Sequence, residues 1–272
     1  MPKLQRYIRT TTTWETVQAF MDTLYISVIR EFRGSTGGTV KGALGKFARP
    51  LLLLGVFYIL YEVIGRFPVI RGDFMLYLLT GIFLYLAHIQ AVKQIKGMGH
   101  NQSGMMFYAK TSTLVNILST AIIEAYILIV SIAVILFVIY LYRGELDIYN
   151  PPGLLTPLAL AWASGLGVGL LFMAFTPLAP GVIPGLYNVY RRLQMVTSGK
   201  MFVANSIPLS VLPFFAWNPL FHSIDQARGE TFVNYTPMRT SIEYPIKFTI
   251  IAITLAVIVE FALRIRETRG VE

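Results

Sequence analysis

Ionisable side chains inside long apolar stretches are where chemistry would be expected first, because a charge in hydrocarbon is costly and survives mainly in a functional role. Four such residues occur here: Glu62, His88, Glu124 and Glu260. A proton- or ion-coupled carrier needs a carboxylate relay near the bilayer midplane. Only Glu124 sits deep in its stretch, where it reads equally as a hydrogen-bonded contact between helices. His88, His100 and His222 are too scattered to hold a metal. His222, Asp225 and Arg228 read as a structural polar cluster rather than a catalytic site. No GxxxxGK[ST] phosphate loop is present, so the chain shows no recognisable means of hydrolysing ATP itself. The string Gly165-Leu166-Gly167-Val168-Gly169 looks like a dinucleotide fingerprint, but it lies inside an apolar stretch and reads as small residues for close helix packing. With no cysteine, disulfides, thiolate metal sites and cysteine nucleophiles are excluded.

The elements that must position these residues are membrane helices. Of 272 residues, 55% are hydrophobic and only 14% charged, and the mean hydropathy is +0.61. The apolar residues form long blocks, as in an all-α integral membrane protein. Six transmembrane helices are expected in residues 50–65, 74–92, 113–142, 154–178, about 193–207 and 244–263. The fifth is the most polar and carries Lys200. Residues 207–224 are apolar enough to cross as well, but Pro208, Pro213 and Pro219 each remove an amide donor. That stretch is expected to form re-entrant, broken helices in the outer leaflet, between spans five and six.

The formal charge of +9 is explained by topology, and nucleic acid is not expected as a partner. With both termini cytoplasmic, only Arg66, Arg71, Arg143, Arg228, Arg239 and Lys247 fall outside, whereas Arg191, Arg192, Lys200 and the C-terminal arginines count inside. A seventh crossing would put Arg264, Arg266 and Arg269 outside, against the positive-inside rule. Residues 13–33 space Trp14, Val17, Phe20, Met21, Leu24 and Val28 as an N-terminal amphipathic helix at the inner interface. The glycine-rich stretch after it can turn the chain into the first span. The N-terminus does not read as a cleaved signal peptide.

Taken in order, several strings resemble the six-span permeases of the ABC-2 transporter family, in particular the exporters of capsular polysaccharide or O-antigen. They are Arg30-Glu31-Phe32-Arg33, Leu44-Gly45, Pro50, Leu79-Thr80-Gly81-Ile82 and Glu124, followed by Ser206-Ile207-Pro208 and Trp217-Asn218-Pro219-Leu220-Phe221-His222-Ser223-Ile224-Asp225 with Arg228. The resemblance covers essentially the whole chain as one transmembrane domain, 1–272, with residues 1–33 cytoplasmic and interfacial and 50–263 the six-span bundle. It departs before Pro50, where Phe47, Ala48 and Arg49 replace the family's tryptophan and acidic residue.

The resemblance implies a homodimer in the bacterial inner membrane, paired with a separate ABC-type ATP-binding subunit. ATP and Mg would be bound by that partner, with no cofactor and no catalytic site in this chain. The cargo would be a lipid-linked, acidic cell-surface polysaccharide, with a periplasmic co-polymerase and outer-membrane export proteins as further partners beside membrane lipids. It also places the loop 94–108, with Gln94, Lys96, Gly97, His100, Met105 and Met106, on the ATPase; a solvated connector is the plainer alternative. Residues 207–228 would gate the path. There Phe214, Phe215, Trp217 and Phe221 would stack on sugar faces or anchor at the interface, beside His222, Asp225 and Arg228. Arg30 and Arg33 would hold a lipid phosphate or acidic sugar, or serve as flanking positive charge. Another ABC-2 cargo (O-antigen, teichoic acid, lipid or drug) and a secondary transporter remain alternatives.

Overall fold

The computed structural model describes residues 13–37, 39, 73–105 and 113–269, with scattered positions between 41 and 70; the side chains of 13, 35, 99–105, 142–143 and 264–269 are not described. The expected first span, 50–65 with Glu62, lies largely outside the described residues, as does Met106. The described elements are all helical. Among the described residues, four helices are long and apolar enough to cross a membrane.

Helix α1 (Thr13–Thr36) ends where Gly37 takes φ +62, a left-handed conformation that glycine adopts without strain. It lies against α3 (Thr113–Arg143), where Arg30 Nη2 donates to Asn116 Oδ1 at 3.4 Å and Phe32 meets Tyr126 edge-on. Ser27 is buried there, whereas Trp14, Val17, Met21 and Ile26 are exposed, so part of the predicted apolar face is not covered by the described residues.

Helix α2 (Phe74–Met105) is the axis of the bundle, with 78% of its apolar window buried. It extends beyond the predicted 74–92, so the supposed loop from residue 94 begins as helix and stays helical to Met105. The polar run Lys93-Gln94 does not stop it because Gln94 gains a partner on α3: its Nε2 donates to Glu124 Oε1 at 2.8 Å. Glu124 is therefore a helix–helix contact, half-buried.

Helix α4 (Leu155–Phe175) packs between α2 and α8 (Glu243–Arg269), and its glycines explain how closely. A Cβ on Gly165 would stand 2.5 Å from the carbonyl oxygen of His88, and one on Gly169 2.9 Å from Ile95 Cβ, both on α2. Gly167 faces the other way, where a Cβ would be 3.1 Å from Ala252 Cβ on α8. The packing reading of this string holds.

The fifth predicted helix differs from what is found. Helix α5 (Ile183–Thr197) starts ten residues before the predicted 193–207 and is only 15 residues long. At 1.5 Å per residue that is about 22 Å, short of a hydrocarbon core of about 30 Å. Arg191 and Arg192, assigned to the cytoplasmic flank, lie within the helix, and Lys200 lies beyond its end, over Tyr85 of α2. The chain continues through a single 3-10 turn (Ala204–Ser206), α6 (Pro213–Ala216) and α7 (Pro219–Thr231). Residues 207–224 are therefore broken helices, with prolines at the starts of α6 and α7, where a missing amide costs nothing. Helix α7 is wedged between α2 and α4, burying Leu220, Ile224 and Ala227 against Leu84, Ala161 and Leu158.

Candidate functional site

The segment 198–242 is where helical hydrogen bonding fails inside the bundle, and the residues that repair it define the candidate site. Gly199, at φ +75, ends the helical path after α5; a Cβ there would also lie 2.7 Å from the Phe221 ring. Beyond it the i to i+4 ladder stops, and what remains are isolated turn bonds such as that from the Phe202 amide to the Gly199 carbonyl at 3.3 Å. Backbone without regular structure at membrane depth is tolerated only when protein groups or a water-filled cavity satisfy it.

Arg228 of α7 supplies what is missing. Its Nη1 donates to the Gly199 carbonyl at 2.9 Å and to that of Phe202, and its Nη2 to the Lys200 carbonyl at 2.8 Å. The guanidinium also covers the Tyr77 ring at 4.2 Å and places a cation at the C-terminal end of α5, where the helix dipole favours it. Gly81, in the string Leu79-Thr80-Gly81-Ile82, is glycine for the same reason: a Cβ would meet the Lys200 carbonyl oxygen at 2.4 Å.

Asp225, one turn earlier, accepts from the Ala204 amide at 3.1 Å, the Tyr235 hydroxyl at 2.5 Å and the Thr240 hydroxyl at 2.8 Å. Arg239 donates to the Ile207 carbonyl. Burial, and the Asp225 charge beside it, push the Tyr235 phenol above its ordinary range, so it stays a donor.

His222 receives the Ser241 amide on Nδ1 at 3.0 Å and bonds the Ala216 carbonyl through Nε2 at 2.9 Å. The first contact requires a bare Nδ1, so the proton sits on Nε2. Burial also lowers its pKa from 6.5, which keeps the ring neutral. His222, Asp225 and Arg228 thus share α7 but serve different partners: His222 and Asp225 are held by neighbouring backbone and hydroxyls, and Arg228 spends both terminal nitrogens on backbone carbonyls while its Nε makes no hydrogen bond. The arrangement is structural, and no group of three or more metal-ligating side chains occurs among the described residues.

A second seam runs deeper. Asn218 caps α7, its Oδ1 accepting from the Leu220 amide at 3.0 Å. Its Nδ2 donates to Gln194 Oε1 at 2.7 Å and Thr197 Oγ1 at 2.9 Å on α5. Gln194 Nε2 donates to the Tyr190 hydroxyl at 2.8 Å, which bonds His88 Nε2 on α2. His88 Nδ1 reaches Ser164 Oγ at 3.0 Å and the Ala161 carbonyl at 3.1 Å on α4. One buried chain therefore ties four helices together. Asn218, Gln194, Tyr190 and Ser164 were missed as site residues; the Asn-Pro pair, an N-cap before a first-turn proline, was the signal available for Asn218.

The four predicted gate aromatics separate. Phe214 and Trp217 are exposed, at 70% and 42%, whereas Phe221 is 1% exposed and joins half-buried Phe215 in a cluster with Phe202, Ala204 and Ile207. Trp217 is oriented from both sides, its Nε1 donating to the Phe214 carbonyl and its own carbonyl accepting from the Tyr244 hydroxyl at 2.6 Å. Arg30 and Arg33 are exposed on the last turns of α1. Among the predicted coupling residues, Gln94 is engaged by Glu124, Lys96 lies over the Tyr187 ring at 4.3 Å, and Gly97 is open. His100 and Met105 continue α2, but their side chains lie outside the described residues. No protein-family model and no curated protein matches the chain.

Proposed function

We propose that the chain is the membrane subunit of an ATP-driven exporter of the ABC-2 type. In this reading two copies pair with two copies of a separate ATP-binding subunit and move a lipid-linked, acidic polysaccharide of the capsule type across the bacterial inner membrane. The observation that carries the reading is the segment from Ser206 to Arg228: this ordered string, which resembles that family, folds as two short helices, the second wedged beside α2, and leaves Phe214 and Trp217 exposed.

In this topology six spans place both termini in the cytoplasm. The first comprises residues 50–65, and α5 with the capped segment 199–207 makes the fifth crossing. Helices α6 and α7 then re-enter the outer leaflet, α1 lies on the inner interface, and the 94–108 region meets the ATPase. Other ABC-2 cargoes share all these features and differ only in what is carried. A secondary transporter finds less support, since Glu124 is occupied by Gln94.

Affinity purification from the native membrane tests the reading: a phosphate-loop ATPase is expected to co-purify, and deletion of the chain is expected to remove a surface polymer. Full transport by this chain alone in ATP-free liposomes would sink it.

A further inference from the structure

Along the face of α2 turned toward α5, cations lie on aromatic rings, and none is ion-paired with an acid among the described residues. Lys200 Nζ stands 3.6 Å above the Tyr85 ring, and Lys96 Nζ 4.3 Å above the Tyr187 ring. Arg191, one turn after Tyr187 on α5, falls on the same stripe of that helix. Among the described residues the one ion pair is Lys247–Glu243, far along the chain on α8, so none of these three cations is paired.

Lys200 is 5% exposed. A desolvated cation without a counter-ion is costly, and a ring face attracts the ammonium without cancelling its charge. Tyr85, His88, Val92 and Lys96 recur at helical spacing, so the cations are spread over about 16 Å of α2 axis at 1.5 Å per residue. A single lipid headgroup at one interface does not extend along a helix in this way. A linear ligand with repeated charges does.

We infer that the α2–α5 face binds successive carboxylate or phosphate groups of one extended acidic glycan, with Arg191 and Lys96 as the contacts and the charge of buried Lys200 behind them. The inference rests on the export reading for the glycan's role as cargo, but its binding chemistry is testable without transport. Tyr85 and Tyr187 hold the two lysines in place, and Arg191, exposed and able to bond an oxyanion bidentately, is the accessible contact.

The full chain in nanodiscs of zwitterionic lipid is titrated with a fluorescent polygalacturonate oligomer and with a neutral dextran oligomer of equal length. The acidic oligomer is expected to bind about tenfold tighter at low salt and to lose that advantage near 1 M salt. Lys200→Gln, Lys96→Gln and Arg191→Gln are each expected to weaken it about fivefold, and Lys247→Gln to leave it unchanged. Arg191→Gln, at an exposed position, keeps the test decisive if Lys200→Gln fails to fold.

Equal binding of both oligomers, unaltered binding by Arg191→Gln, or binding seen only when anionic lipid is added would overturn the inference. No ATPase is present in this measurement, so such a failure leaves the export reading to its own co-purification test.

Discussion

Replacing Arg228 with methionine removes the group that substitutes for helical hydrogen bonding over three successive breaks. The Lys200 and Phe202 carbonyls would lose the donor that Arg228 supplies from 28 and 26 residues away in sequence, and the Gly199 carbonyl would keep only the Phe202 amide. Interhelical hydrogen bonds in membrane proteins average about 0.6 kcal/mol, which sets a floor of about 2 kcal/mol for three. Buried bonds from a charged donor run to about 1.5–3 kcal/mol each, which sets a ceiling near 9 kcal/mol. The floor assumes that the freed acceptors find other partners; here the preceding helix has ended, and of the three carbonyls Gly199 alone has a turn amide, that of Phe202. The ceiling ignores the desolvation of a buried guanidinium, a cost that methionine relieves. A net loss of about 3–5 kcal/mol lies between these bounds. Arg228→Lys keeps the charge but lacks the planar fork, and is expected to recover about half of that.

Equilibrium unfolding in mixed micelles reads the free energy, and limited proteolysis at 198–207 reads whether the loss is local. The control is Lys247→Met, whose ion pair with Glu243 is 70% exposed on both sides and, screened by solvent, is expected to contribute little. An Arg228→Met protein no less stable than that control, with an equally protected 198–207 segment, would refute the account of how the break is held.

Other expectations follow from the same geometry. Asn218→Ala removes a helix cap and two side-chain bonds to α5, and should cost about 1–2 kcal/mol by the same unfolding measurement while loosening amide protection at the start of α7. Gly165→Leu drives a side chain into the backbone of His88 and should cost more than about 3 kcal/mol, whereas Gly97→Ala, with open space around it, should be neutral within about 0.5 kcal/mol. The unfolded imidazole of His222 takes up a proton near 6.5 and the folded one resists it, so its contribution is complete above pH 6.5 and is lost as pH falls below. The difference in stability between wild type and His222→Gln should therefore shrink from pH 7.5 to pH 5; a constant difference would contradict the neutral assignment. Trp217→Ala should reduce polymer export with assembly intact, since its indole is exposed and its neighbours are held by backbone contacts.

The helices that were legible are those whose apolar length decides the matter. Helices α3, α4 and α8 match their predicted bounds closely because each presents apolar residues to lipid or to a neighbour around most of its circumference. Helix α5 was misplaced for an identifiable reason: Tyr187, Tyr190 and Gln194 make its first half look too polar for the membrane bundle, yet these residues turn inward, where Tyr190 bonds α2 and Gln194 bonds α7. Its outward stripe, Leu186, Val189, Leu193 and Val196, is apolar and exposed. A hydropathy window averages the two faces and loses both. The candidate site was legible in part: Arg228 and His222 were singled out, but their role as backbone partners depends on residues far away in sequence that no local window joins.

The two seams differ in what they allow to move. Arg228 and Asp225 bind α7 to 199–204 through a charged fork and a saturated carboxylate, and Arg239 fixes Ile207. Breaking either set exposes backbone carbonyls or amides to a medium that cannot hydrate them. The contacts of Asn218 with Gln194 and Thr197, and of Gln194 with Tyr190, are neutral side-chain bonds whose partners can exchange without stranding backbone groups. If the outer segment moves during a transport cycle, α7 and 199–207 should therefore move as one body, with the displacement taken up at the Asn218–Gln194 seam. A disulfide engineered between α7 and the 199–207 segment should leave export intact, whereas one across the α7–α5 seam should stop it. Export blocked equally by both would mean that the segment opens within itself, contrary to the order of bond strengths found here.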